Sequence, residues 1–218
     1  MTTQALTQSA VQRRPIRLHH VVAVVMSAAL SAIALFDAAT HGITGRSSVF
    51  SDDSSQQGIA TVGGILHGLA YLALAFVLIR ERPLFVGRLL RGTRFALLGA
   101  LALFAGLFLI ATPIVFLTTG TAALPEGDTL GVALGILATT AFVGMLVGGV
   151  ILGLTQIRRA TLGLGGRVLI AMAPVFGVTV LLGLMASPWA HPGYLEATFN
   201  LGISLIGVGL VARVPSAS

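Results

Sequence analysis

Six long apolar runs, at 21–39, 59–79, 95–117, 130–154, 168–186 and 194–212, alternate with short polar segments along the whole chain. At about 1.5 Å per helical residue, each run is long enough to cross roughly 30 Å of hydrocarbon. The pattern predicts an all-α fold, a polytopic integral membrane protein built as a six-helix transmembrane bundle. One domain over 19–213 would be preceded by a basic tail at 1–18 and followed by a short tail at 214–218. Charge then orients it. Arg13, Arg14 and Arg17 precede the first run, and Arg80, Arg82, Arg88, Arg91 and Arg94 separate the second from the third. Arg158, Arg159 and Arg167 separate the fourth from the fifth, and Arg213 follows the last. The opposite side receives Arg46 with Asp52, Asp53, Glu126, Asp128 and Glu196. Basic loops stay cytoplasmic, so both termini are expected in the cytoplasm and the protein in the plasma membrane.

Composition sharpens the class. Hydrophobic residues make up 56% of the 218 and charged ones 9%, against about 25% charged in an average globular protein. The net charge of +6 does not make a nucleic-acid binder, because the cations punctuate apolar runs instead of gathering on a hydrated face. Every cation is Arg, and with no Cys there is no disulfide or thiolate chemistry to consider. The first run has a second reading as a cleaved signal peptide closing at Asp37-Ala38-Ala39-Thr40, although it is longer than the roughly 7–15 residues of a signal core.

The bilayer is the one partner the pattern requires. The segment from Arg80 to Arg94 mixes five Arg with Leu84, Phe85, Leu89 and Leu90 and suits a short helix on anionic lipid, with Arg80, Arg82, Arg88, Arg91 and Arg94 as contacts. On the other side, Thr40 to Gly58 reads as a solvated connector or a lid. Glycines four residues apart, among them Gly64 with Gly68 and Gly149 with Gly153, mark close helix packing that also permits a protein partner or a homo-oligomer. Pro113 and Pro174 are expected to kink the third and fifth helices.

Polar side chains in hydrocarbon are costly unless they face the bundle interior, and their depths here coincide. Ser31, His67, Thr112, Thr139, Thr140, Thr179, Asn200 and Ser204 fall in the outer halves, while the inner halves hold little beyond Ser27 and Tyr71. This distribution predicts an outward polar pocket closed below by a dry inner plug. His67 is the one imidazole deep in a run, and its neighbours Gly64, Gly68 and Tyr71 place it on a small-residue seam facing protein. Asp37 and His41, four residues apart, can share a helix face as an ion pair or as a base and its orienter. With His67 and His191 they form a candidate proton or metal set, with Asp52, Asp53 and Glu196 as further candidate external ligands.

The spacing matches no zinc motif, a second deep His for haem is missing, and Gly-x-Ser-x-Gly and Walker signatures are absent. No catalytic residue, cofactor-binding residue or cofactor is therefore assigned. Three functions stay open: a non-enzymatic bundle whose pocket takes a small molecule, lipid or partner protein; a proton-coupled secondary transporter; and an enzyme with an external metal or acid–base site. The absence of a catalytic motif leans away from the enzyme.

Overall fold

The computed structural model describes residues 12–13, 16–50, 56–121 and 127–212. Asp52, Asp53, Glu126, Arg14, Arg213 and most of both tails lie outside the described residues. The fold is helical: α1 is Leu18–Thr44, α2 Gln57–Arg80, α3 Arg88–Gly106, α4 Thr112–Thr119, α5 Thr129–Arg159, α6 Gly163–Ile170, α7 Met172–Leu184 and α8 Gly193–Ser204. A two-residue antiparallel backbone pairing, β1 (Gln12–Arg13) with β2 (Val211–Ala212), brings the two ends of the chain together.

Five stretches are long and apolar enough to cross a membrane: Leu18–Thr44, Gln57–Arg80, Arg88–Thr119, Thr129–Arg159 and Gly163–Leu184. Their outer faces carry the apolar side chains a lipid environment calls for, such as Leu69, Leu72, Phe76 and Ile79 on α2. The sixth expected span differs. Its helix, α8, has only 12 residues, about 18 Å at 1.5 Å per residue. The cause lies in Gly207 and Gly209, which take left-handed φ angles of 88° and 74° and end helical winding. The unwound backbone docks on the turn before α6, Gly207 N–H donating to Leu162 O and Leu164 N–H to Val208 O. Ile206 and Gly207 are buried, and these bonds give the unwound backbone partners within the protein.

This short helix sits at the centre, touching α1, α2, α5, α6 and α7. Both proline expectations hold. Pro113 follows a π turn at Leu107–Ala111, and the Pro174 ring obstructs the helix that would otherwise continue from α6, which stops at Ile170. The π turn pushes Phe108 and Leu109 against Gly64 and Gly68, where an added Cβ would lie 3.2 Å from Phe108 and 2.6 Å from Leu109. Gly153 similarly admits the backbone carbonyl of Leu169, which leaves no room for a side chain.

Two local expectations are corrected. The Arg80–Arg94 segment is not a separate surface helix: a single 3-10 turn spans Arg82–Leu84, Phe85 is buried, and Arg88, Arg91 and Arg94 already belong to α3. Nor is the Arg-rich end dry inside, because His20, Glu81 and Gln156 are buried there.

Candidate functional site

At the acidic end, α1 continues past the apolar run to Thr44, so Asp37 and His41 do stand on one helix a turn apart. Their partners come from elsewhere. Gly45 ends the helix in the left-handed region, and the chain folds back so that Ser48 N–H donates to Asp37 Oδ1 at 3.0 Å. Phe50 N–H then donates to the Ser48 hydroxyl. From the other side the α7–α8 loop lays Trp189 on Gly42 and sets His191 Nε2 3.3 Å from Asp37 Oδ2. The His41 ring lies beside that of His191, centroids 5.8 Å apart.

A second imidazole–carboxylate pair lies deeper. His67 Nε2 is 3.5 Å from Glu196 Oε1, which also accepts the Tyr71 hydroxyl at 2.7 Å. Phe108, placed by the π turn, packs against the His67 ring with centroids 5.4 Å apart. Both pairs wall one cavity of about 290 Å³ whose lining includes Asp37, His67, His191 and Glu196 with Phe50, Phe108 and Phe142.

Hydrogen bonding fixes the proton inventory. His191 Nδ1 accepts the Gly193 N–H at 3.1 Å, so its proton sits on Nε2 and points at Asp37. That is a neutral imidazole, and burial pushes its pKa below the ordinary value against the opposing pull of Asp37. His67 is the reverse. Its Nδ1 lies 2.8 Å from Gly63 O, and since a carbonyl only accepts, Nδ1 bears the proton. A neutral ring would then aim the Nε2 lone pair at a carboxylate oxygen. The contact is favourable only when one further proton is held between His67 and Glu196.

The remaining expected pocket residues divide. Ser31, Asn200 and Ser204 are buried on the contact between α1 and α8, and the Thr112 methyl borders Gly64. Thr139 and Thr140 instead lie in a groove on the outer face of α5 with Val132, Ile136 and Val143. Thr179 lines a surface groove with Pro174, Trp189 and Tyr194. Thr140 and Thr179 donate to carbonyls of their own helices, Ile136 and Val175. The structure therefore brings His67, Asp37 and His191 to one cavity, whereas Ser31, Thr112, Thr139, Thr140, Thr179, Asn200 and Ser204, and likewise His41, are not among the residues that line it.

A buried polar line leads away from the cavity. Ser31 Oγ donates to Ala197 O, Gly193 packs on Ala34 O, and His20 Nε2 meets Ile206 O at 2.8 Å, so α1 and the α8 segment run antiparallel. This register sets Ser27 opposite Asn200, and the Ser27 hydroxyl and both Asn200 amide atoms have no hydrogen-bond partner. The line ends at the Arg-rich end in His19, His20 and Glu81, residues the sequence reading passed over. Their signal was slight: two adjacent histidines, and one acid among the arginines that flank the second and third helices.

No family model, curated protein or solved structure matches this chain. The site is read from its own chemistry.

Proposed function

We propose that this protein is a multi-pass plasma-membrane protein, Arg-rich end and both termini in the cytoplasm, whose outward cavity binds a small organic cation. The observation that carries this reading is the cavity of about 290 Å³ walled by Asp37 and Glu196 together with three phenylalanine rings. Carboxylates attract an ammonium group, and aromatic faces add cation–π attraction that strengthens as water is excluded. A cation seated between Asp37 and Glu196 would have a carboxylate on either side. The Arg80, Arg82, Arg88, Arg91 and Arg94 set would lie against anionic headgroups on the cytoplasmic side.

The second reading, proton-coupled transport, is favoured by the buried line from Glu196 through Asn200 and Ser27 towards His20. An enzyme with an external metal has less support, because among the described residues the outer donors form two pairs, His191 with Asp37 and His67 with Glu196.

Trp189 is the sole tryptophan and packs beside the cavity on Gly42, so its fluorescence reports occupancy. Titrating detergent-purified protein with ethylammonium and tetramethylammonium should give a saturable change. Glu196→Gln should weaken it by about tenfold or more, the scale of one charged hydrogen bond. A response that never saturates, or one indifferent to both Glu196→Gln and Asp37→Asn, would remove the ligand reading. Saturable binding followed by pH-driven uptake into proteoliposomes would select the transporter.

A further inference from the structure

We infer that His19, His20 and Glu81 form a binding site for a divalent transition-metal ion of the zinc class at the Arg-rich end of the bundle. One donor atom from each of the three lies within 4.8 Å of the others. The set is distant in the fold from the outer cavity, on the first turn of α1 and just past the last residue of α2.

The chemistry of the donors fits. Two imidazoles and a carboxylate are ligands that Zn²⁺ takes in a tetrahedral shell with one position open. Bonds of about 2.0–2.1 Å require ligand atoms about 3.4 Å apart, and His19 Nε2 stands 3.4 Å from Glu81 Oε1. His20 Nε2 is held by the Ile206 carbonyl, which leaves the lone pair on Nδ1. A ring anchored to a carbonyl through one nitrogen is the usual orientation of a metal-bound histidine.

Two further observations point to a missing ligand. His19 Nε2 and His20 Nδ1 are both buried with no hydrogen-bond partner, and buried unpaired imidazole nitrogens in a native fold call for an explanation such as a bound ion. The side chains are sequestered, with 8% exposure for His19 and 4% for His20 and Glu81. The carboxylate also has a fitted cradle: Gly207 at φ 88° lies against it, where a Cβ would come within 2.8 Å of Glu81 Oε2. Arg17 Nη1 is 3.8 Å from Glu81 Oε1 on a side chain 53% exposed, so it can swing into solvent when a cation arrives. A bound ion would tie the start of α1 to the end of α2, with the turn after α8 held against both through Ile206 and Gly207.

The test uses the full chain in detergent, stripped with a chelator and titrated with Zn²⁺ alone by calorimetry, with Co²⁺ absorption as a second readout. One ion per chain, raised thermal stability in proportion to saturation and intense tetrahedral Co²⁺ bands are expected. His19→Ala and Glu81→Gln should each weaken binding by at least about tenfold, and Arg17→Ala should tighten it by removing a competing cation. His41→Ala with His191→Ala should leave binding unchanged. Absence of stoichiometric binding to the wild-type chain would overturn the site without reliance on any variant. Binding that survives in a His19→Ala, His20→Ala chain, or that vanishes with His41 and His191, would overturn it equally.

Discussion

Asp37→Asn separates a latch from a passive wall residue. The Asp37 carboxylate accepts the Ser48 N–H at 3.0 Å on one oxygen and pairs with His191 Nε2 at 3.3 Å through the other. An amide of the same size has one accepting oxygen, so its NH₂ must face one of these two donors. His191 cannot relieve the clash by changing tautomer, because its Nδ1 already accepts the Gly193 N–H. One charge-assisted contact is therefore lost, worth about 1.5–3 kcal/mol. At about 1.4 kcal/mol per decade, local opening of the loop at 45–50 should become about 10–100 times more frequent. Hydrogen exchange read by mass spectrometry measures it directly, since the Ser48 and Phe50 amides are the bonded donors. The control is the Leu162 amide, which donates to Gln156 Oε1 at the other end of the bundle and should not change. Unaltered exchange at 45–50 in Asp37→Asn would refute the latch.

Two further outcomes follow from the same geometry. His191 has a depressed pKa in the fold, so on acidification the unfolded chain takes up its proton first, near the ordinary value of about 6.5. Stability should fall as pH drops from there towards the lowered folded pKa and level off below it, and His191→Gln should flatten that part of a melting-temperature profile; an unchanged slope would show that other groups set it. Asn200→Leu removes a fully buried amide with no hydrogen-bond partner and should stabilise the bundle by about 1 kcal/mol or more; a loss of stability would show that the amide is satisfied within the membrane-embedded protein.

The five long helices were legible because length and apolarity suffice to define them. The sixth was overextended, since apolarity over 194–212 does not register that Gly207 and Gly209 turn the backbone away from helix. The pocket was half legible for a different reason. Depth along a span placed Thr139, Thr140 and Thr179 level with Ser31, but depth does not say which way a side chain faces. Helical phase does: Glu196, Asn200 and Ser204 recur at four-residue steps on one face of α8, and His20, Ser27 and Ser31 at seven and four on the buried face of α1. Glu196 looked like a loop acid because it stands near the start of a run, yet the first turn of α8 rotates it inward to Tyr71 and His67. The pairing of Asp37 with His191, and the gathering of His19, His20 and Glu81, depend on contacts between distant segments that no local pattern encodes.

Phase also explains how a bundle with so few charges can concentrate them inside. In hydrocarbon a polar group facing lipid has no partner, whereas on the face between α1 and α8 it meets backbone carbonyls freed by close approach, as Ser31 meets Ala197 and His20 meets Ile206. Small residues make that approach possible: Ala23, Ala34 and Ala38 on α1 are buried beside the polar ones, and Gly193 on α8 packs on the Ala34 carbonyl. The same pair of elements therefore carries Asp37 and Glu196 at one end and His20 and the Ile206 turn at the other. A ligand that draws α1 and α8 together at either end acts on a single packed seam. The cavity and the proposed metal site would then be felt by one another through helix packing alone, without any relay of protons between them.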